Sequence, residues 1–349
     1  MSPQSRARRR STGDADLDQK IDDLLERIGP PRDVDVLRDM FVSAAGMAGD
    51  GIDRLDLKIT SAALREMRAA FRAFAPYEDT PKATIFGSAR TLPDDPSYSQ
   101  ARDLARLLAH HGWMVVTGAG PGIMAAGLEG AGRSHSFGVN IRLPFEQSAN
   151  PFIAGDEKLI SMKYFFTRKL MLMKESKGFI SLPGGFGTLD ETMELLTLVQ
   201  TGKAQPAPIV LLDEPGGTFW PSFVRFLEDE VAPRGLIDDD DRDLFLVTDD
   251  VQVAVDEVRT FVRNYQSLRW VNDILILRML RGPSDEQLQS LQDEFGSIAT
   301  DGRMCRTEPL PAEVRSKDNL DLDRIALRYN GFAPGRLRRL IDALNRLPH

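Results

Sequence analysis

Between residues 16 and 75 the apolar positions recur at spacings of three and four: Ile21, Leu24, Leu25 and Ile28, then Leu37, Met40 and Phe41, then Leu64, Met67 and Phe71. That period is the stripe of an amphipathic helix, and it predicts a helical N-terminal segment over 15–79. Pro76 and Pro81 bracket a short loop, after which the pattern changes. Brief apolar runs at 83–86, 113–116, 137–141, 178–182, 208–212 and 244–247 alternate with stretches of helical period. Short apolar strands separated by helices are buried on both faces, so 80–267 is predicted to be an α/β domain with a doubly wound parallel sheet. After a helix at 251–265 comes a further change: an apolar run at 274–277, a helix at 285–295, strands at 304–307 and 325–329, and a helix at 336–347. This β-α-β-β-α order predicts a small α+β domain of the split type over 268–349.

A length of 349 residues suits two or three such units and a sizeable core. With 44 basic against 52 acidic side chains, the net charge of -8 argues against a nucleic-acid binder. The single cysteine, Cys305, allows no internal disulfide and no zinc cluster, so a reducing, cytoplasmic setting is expected. The opening MSPQSRARRRSTGDAD has a basic run but no apolar stretch behind it. Neither a secretory signal nor a membrane anchor is expected there, and 1–14 reads as a disordered tail whose Arg6 to Arg10 are solvated charges.

Chemistry is expected where strands run into helix N-termini, because free N–H groups and the positive end of the dipole favour anions. Three loops occupy such positions: Gly87-Ser88-Ala89-Arg90 after the first strand, Gly118-Ala119-Gly120-Pro121-Gly122 after the second, and Pro183-Gly184-Gly185-Phe186-Gly187-Thr188 after a later one. Glycines let the backbone approach an anion closely, although they also serve in tight turns. The segment from Gly120 to Ala125 has the form G-x-G-x-x-A, but the next strand ends on Asn140 rather than the acidic residue an NAD site needs for ribose. The last loop lacks the lysine of a P-loop, which favours a monophosphate over a triphosphate. Thr188 and Glu191 also fit a capping box at a helix start. Upstream, Arg168 and Lys169 sit on a helical stretch leading into the strand that feeds this loop, and either could bring a cation to the phosphate.

Arg168-Lys169 followed by Pro183-Gly184-Gly185-x-Gly187-Thr188-x-x-Glu191 resembles the Lonely Guy family of nucleotide phosphoribohydrolases. Gly87-Ser88, Gly120-Pro121-Gly122-Ile123-Met124 and Leu143-Pro144-Phe145-Glu146-Gln147 add to the likeness, which covers about 80–265 and looks like a bacterial branch. The resemblance implies a Rossmann-like homodimer or larger homo-oligomer. Its activity would be hydrolysis of nucleoside 5'-monophosphates, AMP or cytokinin riboside monophosphates, to free base and ribose 5-phosphate. It implies Arg168 and Glu191 as catalytic residues and Gly184, Gly185, Gly187 and Thr188 as the phosphate loop. Lys169, Gly87, Ser88, Gly120 and Gly122 complete the candidate binding set. Some members carry the label lysine decarboxylase, yet nothing in this sequence argues for a pyridoxal phosphate site.

Breaking a ribosyl C–N bond passes through an oxocarbenium-like state that a carboxylate can stabilise while orienting water. Glu191 is expected in that role, kept ionised by the dipole of a first helical turn, with Arg168 holding ribose or phosphate against it. No cofactor or metal is implied, and His110, His111, His135 and His349 show no ligand spacing. The competing expectation is a nucleotide or phosphorylated-cofactor carrier, which would need the glycines but not the carboxylate. The C-terminal domain is expected either to regulate the site or simply to cover apolar surface.

Overall fold

The computed structural model describes residues 11–29, 33–142, 150–331 and 333–348. The basic run at 6–10, the motif at 143–147 and His349 lie outside those residues. By backbone proximity the chain divides into two compact units, Met1–Met67 and Arg68–His349.

In the first unit, α1 (Ala15–Ile28) and α2 (Val34–Gly49) are followed by α3 (Arg54–Phe74), which begins there. Residues 11–14, expected in a disordered tail, form the capping turn of α1: Asp14 accepts from the N–H groups of Asp16 and Leu17, and Thr12 N–H donates to Asp18. Ile21 and Leu25 of α1 meet Val42 of α2 on the apolar stripes the sequence predicts, while Arg38 and Asp22 pair at 2.7 Å beside them.

The second unit holds two sheets. The larger has seven strands: β1 (Lys82–Phe86), β2 (Met114–Thr117), β3 (Ser136–Ile141), β4 (Leu159–Met162), β5 (Gly178–Ser181), β6 (Ile209–Leu212) and β7 (Leu246–Thr248). Their order is β4-β3-β2-β1-β5-β6-β7, every pair parallel. The crossovers carry α4 (Pro96–His110), α5 (Ile123–Ala131), α6 (Phe165–Lys174), α7 (Phe186–Gln200) and α8 (Phe219–Phe226), and α9 (Val251–Phe261) follows β7. On one face Ile85, Val115, Ile180 and Val210 pack against Leu104, Leu108, Ile123 and Val258 in a core closed to water. Strands buried on both faces explain the uninterrupted apolar runs by which they were predicted. β4 escapes that test: it is a four-residue edge strand whose side chains alternate between exposed and buried. Strand order reverses between β1 and β5, which pair through Ala83 and Gly178 up to Phe86 and Ser181. Their carboxyl ends therefore flank the crevice in which open α/β sheets bind ligands.

The smaller sheet, order β10-β11-β9-β8, is antiparallel throughout. It comprises β8 (Tyr265–Val271), β9 (Ile274–Met279), β10 (Ala299–Arg306) and β11 (Asp323–Tyr329), with α10 (Asp285–Phe295), α11 (Pro311–Ser316) and α12 (Pro334–Arg346) between and after them. The predicted β-α-β-β-α order is thus corrected to β-β-α-β-α-β-α. Sequence reading ran the preceding helix on to Tyr265, whereas YQSLRWV is a half-exposed strand that turns into β9 through Asn272, whose φ of 56° suits a two-residue hairpin. Leu275, Leu277, Ile325 and Leu327 face Leu291, Phe295, Leu340 and Ile341. No described helix is long and apolar enough to cross a membrane.

Candidate functional site

The loops after β1, β2 and β5 interlock through their backbones. Ser88 N–H donates to Pro183 O at 3.2 Å, and Ile123 N–H donates to Ser88 O at 3.0 Å. Glycine is required where these chains touch. A Cβ on Gly122, whose φ is 65°, would lie 2.3 Å from Ser88 O; one on Gly87 would meet the Ile123 side chain at 2.5 Å; one on Gly184 would fall 2.1 Å from Thr188 Oγ1. Gly185 and Gly187 differ, because a Cβ on either would meet nothing within 4 Å. The predicted glycines therefore divide into some that fit the loops together and two that leave open space at the start of α7.

That helix begins at Phe186 with Gly185 as its N-cap and no side chain capping it. The expected capping box of Thr188 and Glu191 does not form, since Thr188 is already inside the helix. Thr188 is buried, its carbonyl accepting from Thr192 Oγ1 at 2.8 Å. The first N–H groups of an α-helix have no intrahelical acceptor, so an uncapped start facing open space is suited to an anion.

A cavity of about 550 Å³ lies over this helix start. Gly87, Ser88, Gly118, Arg168 and the run from Gly185 to Glu191 line it, with Met124, Phe165 and Leu172 supplying apolar wall. Arg168, on α6, donates from Nε to Val139 O at 2.9 Å. Its guanidinium occupies the space beside Gly118, where a Cβ would lie 1.9 Å from Nη2. Glu191 is the sixth residue of α7, not a first-turn residue, and is 7% exposed. Its Oε2 is buried with no hydrogen-bond partner among the described residues. Burial pushes its carboxyl up to about 7, against the opposing pull of Lys169 and Arg168. The expected first-turn carboxylate is therefore corrected: Glu191 lies beyond the first turn, where the dipole's effect falls off, and burial sets the direction of its shift.

Of the remaining predicted residues, Lys169 turns away from the glycine loop. Its Nζ bonds Asp190 at 2.7 Å and Glu194 at 2.5 Å, clamping α6 to α7. Gly120 and Gly122 stand behind the cavity, Gly120 because a Cβ there would strike the Met124 side chain at 2.6 Å. Gly184 lines an adjoining cavity of about 860 Å³ that shares Ser88 and Leu189 with the first and is walled by Asp95, Asp213 and Glu214. Sequence reasoning missed these three acids, which no spacing joins, and it missed Gly118, which stood unremarked within the second loop.

A glycine-lined, uncapped helix start thus stands at the switch point of a parallel α/β sheet, with an arginine and a buried glutamate lining the cavity over it. Residues 121–258 match the family model described as "Possible lysine decarboxylase". The cytokinin riboside 5'-monophosphate phosphoribohydrolase LOG of Oryza sativa subsp. japonica is 29% identical over 177 residues, 49% of this chain and 69% of the relative. The probable phosphoribohydrolase of the same kind named LOG6, from Arabidopsis thaliana, is 32% identical over 146 residues, 40% of this chain and 69% of the relative. Among solved structures, the molybdenum cofactor binding protein of Rippkaea orientalis is 17% identical with a TM-score of 0.38, covering 52% of this chain and 98% of that one. The chain belongs to the LOG family, the Lonely Guy family that its motifs resemble.

Proposed function

We propose that this protein hydrolyses the N-glycosidic bond of nucleoside 5'-monophosphates, AMP or a cytokinin riboside monophosphate, to free base and ribose 5-phosphate. Glu191 carries the proposal: a buried carboxyl with an oxygen lacking any described partner, beside an arginine, one turn into a helix whose start is open. An unsatisfied buried polar atom is destabilising, and such strain is retained where a substrate supplies the missing partner. The 5'-phosphate binds at the N–H groups of Gly185, Phe186 and Gly187, and Arg168 holds the ribose side of the nucleotide. Glu191 stabilises positive charge at the anomeric carbon and takes a proton from the attacking water; the water oxygen bonds to that carbon, and the base leaves with the C–N electron pair and takes up a proton from solvent, to which Glu191 returns the one it accepted. The names of the relatives, phosphoribohydrolases, support the same reaction class.

The test is chromatographic detection of base and ribose 5-phosphate from AMP, GMP, CMP, UMP and isopentenyladenosine monophosphate, with wild type and Glu191→Gln side by side. Base released by the wild type alone is expected. Tight binding of the panel without cleavage would replace this reading with the carrier. We also propose a homodimer or larger homo-oligomer, because Phe165 and Phe186 line the cavity yet are 59% and 94% exposed. Light scattering showing a monomer at working concentration would remove that part.

A further inference from the structure

On the smaller sheet, far along the chain from Glu191, two buried asparagines tie three backbone segments together. Asn264, 2% exposed at the junction of α9 and β8, accepts from Arg281 N–H at 2.9 Å and donates from Nδ2 to Arg281 O at 3.1 Å and Leu344 O at 3.0 Å. Asn345, 3% exposed at the end of α12, accepts from the N–H groups of Asn264 and Tyr265, both at 2.9 Å, and donates to Phe261 O at 2.6 Å. Both amides are engaged in holding chain to chain, which is the way buried polar networks fix a unique geometry.

Each of the tied segments carries an exposed arginine at the junction: Arg263 beside Asn264, Arg281 at its bonding partner, and Arg346 beside Asn345. The three arginines line one cavity of about 480 Å³, together with Asn264, Leu280, Leu347 and Pro348, and no acidic side chain among the described residues lines it. Arg263 donates to the Asn345 carbonyl. Arg281 and Arg346 form no ion pair and no side-chain hydrogen bond among the described residues. The carboxylate whose field Arg346 reaches, Asp342, is bonded to Arg338 at 3.1 Å. Three positive charges gathered on a rigid frame, in a chain of net charge -8, are mutually repulsive and oppose the protein's overall charge. Planar guanidinium forks match the oxygens of a phosphate, and Leu280 (55% exposed) and Leu347 offer apolar surface beside them.

We propose that the cavity framed by Arg263, Arg281 and Arg346 is a second anion site, one that binds a phosphate-bearing small molecule and is separate from the glycine-loop site. It stands whether or not the proposed hydrolysis is correct, because it rests on none of the catalytic residues.

Hydrogen exchange read by mass spectrometry on the full chain tests it, with inorganic phosphate and pyrophosphate as probes at constant ionic strength. Slower exchange is expected in peptides covering 263–265, 280–282 and 344–348, by about fivefold or more for pyrophosphate, whose extra charge engages more than one guanidinium. In the double variant Arg281→Ala/Arg346→Ala that protection is expected to vanish while any protection at 184–191 persists. Neither side chain holds a structural partner among the described residues, so circular dichroism and the unfolding midpoint are expected to match wild type. Protection confined to 184–191, protection at neither place, equal protection by chloride, or protection surviving the double substitution would each overturn the proposal. Loss of protection at 184–191 alone would count against the catalytic reading and not against this one.

Discussion

Gly118 and Arg168 share one space: the guanidinium Nη2 lies 1.9 Å from where a side chain on residue 118 would begin. The backbone there is not in the left-handed region, so alanine fits the chain locally, and what must move is the Arg168 guanidinium together with the Met124 sulfur, 2.7 Å from the added carbon. Gly118→Ala is therefore expected to leave the unfolding midpoint nearly unchanged while turnover falls by about 100-fold, the loss that an ångström of misplacement can bring. Steady-state kinetics beside thermal melts check it. Unchanged turnover would mean that the reaction does not depend on where Arg168 stands.

Glu191 gives a pH signature with a defined sign. Its carboxyl is raised to about 7 by burial, and the proposed role requires the ionised form, so kcat/KM is expected to rise with pH through an inflection near 7 and then level. A profile falling through that pH would assign Glu191 as an acid instead. Glu191→Gln is expected to lose about 10³-fold in turnover. The folded-state value lies above the ordinary one of 4.5, so the stability this group contributes is complete below 4.5 and disappears as pH climbs through 7. The glutamine variant should therefore gain on wild type in melting temperature as the pH rises from 4.5 to about 7, and the difference should level above that.

Lys169 tunes that inflection from outside the cavity. It bonds Asp190 and Glu194, and its charge lowers the Glu191 carboxyl. Lys169→Met leaves the glycine loop intact but removes the opposing charge, so the inflection is expected to move to higher pH with KM little altered. A KM rise with a stationary inflection would return Lys169 to the phosphate-binding role that the sequence suggested.

The sequence made the parallel sheet legible because strands covered on both faces must be apolar without interruption, as at 83–86 and 208–212. It concealed β4 and β8, whose half-exposed side chains leave no such run. At the site, the loop from Gly184 to Thr188 was visible because a helix start stripped of side chains has few other uses. The division of labour among its glycines was not. Whether a missing Cβ faces an anion or a neighbouring backbone depends on contacts between residues as distant in the chain as Gly122 and Ser88. Lys169 is expected at the phosphate because its helix leads into the strand that feeds the glycine loop, yet it and Arg168, adjacent on that helix, point about 100° apart, and of the two Arg168 lines the cavity.

On α11, Glu313 has no exposed surface, and its Oε1 accepts from two strands of the smaller sheet: Arg278 Nη2 at 2.6 Å, Arg278 Nε at 2.9 Å and Arg324 Nε at 3.4 Å. Burial alone would raise its carboxyl, but the Leu310 N–H and the Arg278 guanidinium outweigh that and hold it below the ordinary 4.5. The stability it contributes is present above 4.5 and disappears as pH falls through the lower folded value. Glu313→Gln leaves the buried Arg324 without its counter-charge and Arg278 with that of Asp318 alone, 2.8 Å away, and is expected to cost about 3 kcal/mol near pH 7, a gap that narrows as the pH is lowered below 4.5. Urea unfolding followed by the fluorescence of Trp270 on β8 measures it. Replacing all three together by apolar residues of similar size is expected to cost far less, since no uncompensated charge remains. A triple variant as unstable as the single one would show that shape, and not charge pairing, governs this core.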